Sequence, residues 1–392
     1  MKLKYVLVAL LAGALSLPAS APGAAAGEPY PIHTILSLTG FAAFIGQGEV
    51  TTLKAAEGVI NSTGGIHGRP VQFVVQDDQS NPAVAVQLFN GILAKGVAVE
   101  LGPTVAGTCG AVAPLVKTLI VNYCLSPALH PPAGSYTFSG GSSSVDLVTA
   151  ALRYFKAKGV RKLAILQTTD ASGQDGENAI YENLKLPEFA ELSVVDAEHF
   201  APADLSVDAQ VLRAKNSGAQ ALIAWVVGPP FGTVCRSVSN AGLDIPLMTG
   251  SGNVSYAQIA QYKTFLPKNT LFVSQSFIAP NLPAASSVKR AQEQYFKAMA
   301  SAGVPKPDVL SAQAWNPVFV VVDALRKLPE NASAQQVHEY IEQLQGYPGI
   351  NGPMSYRDGS QRGESPDSTV VVRYDADGPA FVAVSKQRGM PL

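Results

Sequence analysis

The sequence predicts an α/β protein built on doubly wound parallel sheets. Strand-like and helix-like patterns alternate along it as far as Gln275, the signature of parallel strands joined by crossover helices. Residues 36–82 also read as a complete βαβ unit whose polar residues gather at one end of the sheet.

In that unit Ile35 and Leu36 close a short apolar strand. Ser37-Leu38-Thr39-Gly40 turns into a Gly-containing loop, residues 41–48, with a helix expected from Glu49. Val50, Leu53, Ala56, Val59 and Ile60 recur at helical spacing, so this helix should lay Val50 and Leu53 on the sheet; Asn61-Ser62-Thr63-Gly64-Gly65 stops it. Gly64, Gly65 and Gly68 serve turn geometry only. Val71, Phe73 and Val75 alternate as a second strand, with Asp77-Asp78 past its end. Asn81-Pro82 then supplies an N-cap and a first-turn proline to a helix carrying Leu88, Phe89, Ile92 and Leu93. Further strands are expected at residues 97–101, 120–125, 162–167, 193–198, 221–227 and 270–275. Breaks fall in the Ser/Gly-rich stretch 135–144, at 278–283 and at 349–363. Ligands of open parallel sheets bind outside the carboxyl ends of the strands, so the loop after Leu36 points to where binding happens.

Residues 1–26 combine Lys2 and Lys4, an apolar run over 5–17 and a closing Ala24-Ala25-Ala26, the pattern of a secretory signal peptide cut after Ala26. The run is shorter than the roughly 20 residues a spanning helix needs. The rest of the chain is long enough for two domains, each with its own core. Lys plus Arg (28) nearly balances Asp plus Glu (29) with no basic runs, which argues against nucleic acid or an anionic membrane surface as partner and leaves small molecules. Export places Cys109, Cys124 and Cys235 where disulfides persist. Cys109, in the first turn of the helix after Gly102, and Cys124, at the end of the next strand, approach the same crevice edge and are a candidate pair. Cys235, inside a helix, reads as a small buried hydrophobe.

Catalytic signatures are missing. The five histidines, His33, His67, His130, His199 and His338, have no metal spacing to one another or to a cysteine. There is no Gly-x-Ser-x-Gly elbow, P-loop or Cys-x-x-Cys, and Gly46-Gln47-Gly48 is too short for a dinucleotide fingerprint. Asp77-Asp78 reads as a solvated loop pair, of the kind that sometimes braces the next helix, before it reads as a metal or acid/base site. No cofactor is called for, and no enzyme is expected.

Two loops favour a ligand. Thr104-Val105-Ala106-Gly107-Thr108 runs from a strand end into a helix N-terminus, where unpaired N–H groups and hydroxyls suit an anion such as a carboxylate. Ser126-Pro127-Ala128-Leu129-His130 is the next loop over. Aromatic candidates for the cleft wall are Phe44, Trp225, Phe231 (after Val226-Val227-Gly228-Pro229-Pro230) and Trp315. Core packing explains Trp225 equally well and Trp315 better, whereas Phe44 and Phe231 are expected in loops.

Leu38-Thr39-Gly40, the Asn61-x-x-Gly64-Gly65-Ile66-x-Gly68-Arg69-Pro70 turn, and Asp77-Asp78 before Asn81-Pro82 resemble the periplasmic branched-chain amino acid binding family, the type I solute receptors of ABC importers. Gly102-Pro103-Thr104, Leu125-Ser126-Pro127, the strand 163–166, Asn240-Ala241-Gly242-Leu243 and Gly352-Pro353 extend the resemblance over almost the whole exported chain. Tyr123-Cys124-Leu125-Ser126-Pro127 and Gly134-Ser135-Tyr136 look closer to members that bind aromatic acids.

The resemblance implies two doubly wound lobes, residues 27–141 with 279–351 and 142–278 with 352–392, joined by a three-segment hinge. It implies a monomer in the periplasm that meets the membrane subunits of an ABC importer. The loops at 104–108 and 126–130 would hold a ligand carboxylate, with Thr104, Ala106, Thr108, Ser126 and Ala128 as contacts and His130 where a hydroxyl residue is common; an exposed loop role for His130 is as well supported. Relatives carry a disulfide at the positions of Ser80 and Val105, which this chain lacks. Amino acid receptors place an acid at the position of Ser251 to hold the ligand ammonium, and a tyrosine where Ser172 stands. An ammonium buried there without a counter-charge would cost roughly several kcal/mol. The expected ligand is therefore a small organic acid without an α-ammonium, apolar or aromatic at its far end, meeting Phe44, Gly228 and Phe231. The rivals are a branched-chain or other α-amino acid receptor that recruits Asp170 or Asp175, a ligand-sensing regulator of the same fold, and a hydrolase.

Overall fold

The computed structural model describes residues 27–392, so the signal-peptide reading lies outside the described residues. Five strands, β1 (Tyr30–Leu36), β2 (Val71–Asp77), β3 (Val99–Leu101), β4 (Val121–Cys124) and β5 (Thr137–Ser139), pair in parallel in the order β2-β1-β3-β4-β5. Their crossovers are α1 (Ala43–Ser62), α2 (Pro82–Leu93) and α3 (Ala106–Val116). The chain moves outward from β1 to β2 and then back across to β3, so the strand order reverses between β1 and β3, and a crevice opens at their carboxyl ends.

A second unit comes next in the chain: α4 (Ser144–Ala157), β6 (Lys162–Thr168), α5 (Ala171–Leu184), β7 (Ser193–Phe200), α6 (Asp208–Asn216), β8 (Ala221–Trp225), α7 (Pro229–Asn240), β9 (Leu247–Thr249), α8 (Tyr256–Tyr262) and β10 (Thr270–Gln275). The chain then returns to the first unit with α9 (Ser286–Ser301), α10 (Val309–Ala312), α11 (Trp315–Lys327), α12 (Ala334–Glu342) and the hairpin β11 (Gln345–Gly349)–β12 (Gly352–Ser355). It ends as β13 (Thr369–Asp375) and β14 (Ala380–Ala383), antiparallel on β10, giving the second sheet the order β14-β13-β10-β9-β8-β6-β7. The βα alternation stops at Gln275 because the chain then leaves this sheet for the helices α9 to α12 of the first unit; it returns only as the antiparallel pair β13–β14, which needs no crossover helix.

Four expectations change. Helix α1 begins at Ala43, not Glu49, so residues 43–48 are helical. Its first turns press on the strand end so closely that a methyl on Gly46 would lie 2.2 Å from the Ser37 carbonyl oxygen; only glycine fits. The Ser/Gly-rich stretch 135–144 holds the edge strand β5. The third crossing comes late: β12 pairs with β11, the Tyr356 and Tyr123 hydroxyls bond each other, and the Ser139 N–H donates to the Gln361 carbonyl (2.9 Å). Residues 352–361 thus stay on the first unit, instead of starting the second at 352. Asp77 closes β2 and accepts from the Leu38 and Thr39 N–H groups (2.9 and 3.2 Å), while the wholly buried Asp78 accepts from the Ser37 hydroxyl (2.7 Å). The pair braces the preceding β1–α1 loop instead of lying in a solvated one.

Cys109 and Cys124 are disulfide-bonded, with Cα atoms 5.9 Å apart, and Cys235 is free and buried on α7. Burial pushes the Cys235 thiol well up. Titration of the denatured, unreduced protein is therefore expected to find one thiol; three reactive thiols would show the bond is not made in solution.

Candidate functional site

The carboxyl ends of the two sheets face each other across a small cavity of about 50 Å³. From the first unit it is lined by Ile45 on α1, Thr104 and Val105 before α3, Ser126, Pro127 and Ala128 after β4, and Gln313 between α10 and α11. From the second come Ser144 and Leu147 on α4, Ser172 on α5, Trp225 ending β8 with Val226 and Val227, and the loop Gly250-Ser251-Gly252.

Each loop is fixed from behind. Asn253 bonds the Val226 carbonyl (2.7 Å), the Gly228 N–H (3.0 Å) and the Thr249 hydroxyl (2.8 Å), stapling the two loops of the second unit together. Trp225 owes its position to glycine: a methyl on Gly176 of α5 would lie 1.9 Å from the indole ring. The disulfide joins the first turn of α3 to the end of β4 and so locks both first-unit loops.

None of the sixteen lining residues is ionisable. The polar groups are hydroxyls, the Gln313 carboxamide, and the unpaired N–H groups of the first turn of α3, which starts at the Thr104-Val105 stretch of the wall. Gln313, Ser144, Ser172 and Ser251 make no side-chain hydrogen bond among the described residues, so their polar groups are free for a ligand. A nucleophile paired with a base is not among them.

A model of the periplasmic binding protein family matches residues 29–379. The chain belongs to that family. It is a solute-binding protein, not an enzyme. The chain is 25% identical over 260 residues to the Leu/Ile/Val-binding protein of Escherichia coli K12, a match covering 64% of this chain and 69% of that one. It is 24% identical over 271 residues to the Leu/Ile/Val-binding protein homolog 3 of Brucella melitensis, covering 66% and 70%. An extracellular ligand-binding receptor from Rhodopseudomonas palustris HaA2 superposes with TM-score 0.81 at 18% identity, covering 91% of this chain and 100% of that one. The branched-chain amino acid transporter substrate binding protein of Streptococcus pneumoniae, in complex with isoleucine, gives 0.76 at 17%, covering 91% and 98%. These two likenesses show the fold.

Within this binding protein the structure brings Thr104, Ser126, Ala128, Ser172 and Ser251 to one cavity. Six other expected contacts lie elsewhere. Phe231 is on α7, not in a loop, and is fully buried against Tyr262 and Phe272 as core. Phe44 is on α1 and lines a neighbouring cavity of about 300 Å³; its ring packs on Gly228 of the opposite unit, which caps α7 off this wall. Thr108 is buried, its hydroxyl directed at the Val105 carbonyl (3.1 Å) and the Asp78 carboxyl. Ala106 is buried in the first turn of α3, off the cavity wall. His130 stands half-exposed and meets Asp175 of α5 at 2.7 Å, a contact between the two units beside the cavity and not a wall residue. Trp315, expected as core, is core: it meets Tyr295 edge-on and Phe319 at a tilt.

Trp225, expected inside a strand over 221–227 and explained equally well by core packing, ends β8 and reaches the cavity wall. Gln313 had no sequence signal, because it lies in the connection before α11, far along the chain from every loop it joins. A larger cavity, about 920 Å³, opens behind the hinge between the 276–285 strap, α9 and the 364–368 segment. It shares no lining residue with the Thr104, Ser126 or Ser251 loops, where the ends of the two sheets meet, and we assign the site to the smaller cavity for that reason.

Proposed function

We propose that this protein is the receptor of an ABC importer and closes on a small, planar organic acid. The ligand class is an aromatic carboxylate without an α-ammonium. One observation carries this reading: no acidic side chain lines the cavity. The two acids that could have replaced the missing partner are occupied. Asp170 caps α5, accepting from the Gly173 N–H (3.1 Å) and the Thr168 hydroxyl (2.6 Å), and Asp175 faces His130. A zwitterion would bury its ammonium unpaired, at a cost of roughly several kcal/mol, whereas a carboxylate finds N–H groups and hydroxyls. Trp225 supplies a flat apolar wall for a ring.

At about 50 Å³ the cavity holds no such ligand, so the bound form keeps the units further apart than they lie here, with the three-segment hinge supplying the motion. Ligand contacts to both units then favour closure, and closure is the signal the importer's membrane subunits read. Residues 1–26 direct the chain to the periplasm. The amino acid reading is favoured by the names of the Leu/Ile/Val-binding relatives and opposed by the uncharged wall.

A thermal-shift screen of the protein from Gly27 onward separates the two, using benzoate and 3-phenylpropionate against leucine, valine and phenylalanine. Ligand at 100 times its Kd stabilises the native state by about 2.7 kcal/mol, a shift of several degrees. The acids are expected to raise the melting temperature and the amino acids to leave it unchanged. A shift with leucine or valine instead overturns the ligand class.

A further inference from the structure

We propose that Glu49 is a positioning residue for anion capture: acting through Thr104, it decides whether the cleft presents a hydroxyl hydrogen or a hydroxyl lone pair to a bound carboxylate. This rests on the carboxylate reading of the cavity.

Thr104 is on the cavity wall. Its Oγ1 accepts from the Ser37 N–H (3.0 Å) and lies 2.6 Å from Oε2 of Glu49. Glu49 sits on the second turn of α1, wholly buried, with Oε1 unpartnered. A threonine hydroxyl has one hydrogen and two lone pairs. The Ser37 N–H takes one lone pair. If Glu49 is ionised, only the Thr104 hydrogen can bridge the 2.6 Å contact, and a lone pair is left for the cavity, which repels an anion. If Glu49 is protonated, it donates to the second lone pair, and the Thr104 hydrogen is free to turn to the ligand.

The surroundings of Glu49 favour the protonated form. Burial pushes its carboxyl up to about 8, the Thr104 bond works against this, and the like charge of Asp78 adds to it. Asp78, past the end of β2, is the one charged group among the described residues that acts on it; no lysine, arginine or histidine does. Asp308, at the start of the α10 helix packed on α1, is tied to Ser311 in its own cap. Glu100 on β3 is itself coupled to Asp78.

By linkage, the carboxylate affinity holds below about pH 8 and falls as pH rises through it, by up to about tenfold per unit. The test titrates benzoate and 3-phenylpropionate calorimetrically between about pH 6 and pH 9.5 into the wild type, Glu49→Gln and Thr104→Val, with melting temperatures recorded for each. Glu49→Gln keeps a donor toward Thr104 at every pH, so it should match the wild type at about pH 6.5 and stay flat where the wild type weakens. Thr104→Val should bind more weakly at that pH and also stay flat. The ligand-free protein provides an independent measurement: the infrared C=O stretch of a buried carboxylic acid should be present at about pH 6.5, fade above about pH 8, and lose one component in Glu49→Gln. An unchanged infrared band in Glu49→Gln at the lower pH, or the same pH profile in the wild type and Glu49→Gln, overturns the proposal. Failure of both acids to bind at any pH overturns it together with the carboxylate reading, and the infrared result then shows separately whether Glu49 is protonated.

Discussion

Raising the pH from about 5 is expected to destabilise this protein steadily until about pH 8 and little further above it. Glu49, Asp78 and Glu100 are all wholly buried in the first unit. Burial raises each carboxyl above its ordinary value, Glu49 and Glu100 to about 8. The Glu100 carboxyl is held by the Asn122 amide (2.6 Å) and the Ile35 N–H (3.2 Å), bonds that pull the other way without winning. A group whose folded pKa lies above its unfolded one binds its proton more tightly when folded. Its stabilisation is complete below the unfolded pKa, near 4.5 for glutamate, and is lost as pH rises through the folded value. Each glutamate therefore contributes on the order of several kcal/mol that is gone by about pH 9. Asp78 couples to both, so the losses do not simply add.

The acid limb has the opposite sign. Hydrogen bonding outweighs desolvation at Asp77, and ion pairing with Arg153 and Arg213 depresses Glu188 and Glu198, so their contributions fade as pH falls through the lowered values. Urea unfolding of the wild type, Glu100→Gln and Glu49→Gln at about pH 5, 7 and 9 tests this. The glutamine variants should lose less across that range than the wild type does. A wild type whose stability is constant or rises with pH would sink the prediction.

Replacing Arg362 with Met is expected to cost roughly 3–5 kcal/mol, the range for breaking a buried charged cluster by removing one partner. Arg362 is buried at the third crossing. Its guanidinium donates to the carbonyls of Gly140 (3.2 Å) and Gly141 (3.1 Å) at the first crossing, and of Leu129 (2.6 Å) in the cavity loop. It also faces the charge of Glu364, which Asn351 (2.8 Å), Asn316 (3.1 Å) and Ser142 (3.2 Å) hold. One side chain thus ties two hinge strands to the loop after β4. Lysine cannot replace the fork, since a single ammonium does not span three carbonyls in different directions. Arg362→Lys and Arg362→Met should both unfold at lower urea and bind ligand more weakly. Losses below about 1 kcal/mol in both would show the tie to be idle, in the range of an exposed pair.

Legibility in the sequence varies by element. The βαβ unit at 36–82 was legible because helix spacing, strand alternation and the Asn81-Pro82 cap are all local. The start of α1 was not: Gly46 and Gly48 look like loop residues until the Ser37 carbonyl is seen against Gly46. Phe231 misled for a related reason. It was expected in a loop, but the two prolines before it suit the first turn of a helix, and α7 starts at Pro229. The loops of Thr104 and Ser126 could be named because strand ends meet the crevice, and Ser251 through the family resemblance, whereas Gln313 and the His130–Asp175 pair depend on which face of one unit meets the other.

From the sequence alone came the α/β class, the parallel arrangement of most strands as far as Gln275, the candidate cysteine pair and the uncharged character of the loop at Ser251. Periodicity and local loop chemistry determine these over a few residues. The tertiary structure decided the antiparallel edge, the late third crossing at Arg362, the burial of Glu49, Asp78 and Glu100, and which side chains share the cavity. Those depend on contacts between residues tens to hundreds of positions apart, and burial and hydrogen bonding at such contacts are set only when the two units pack.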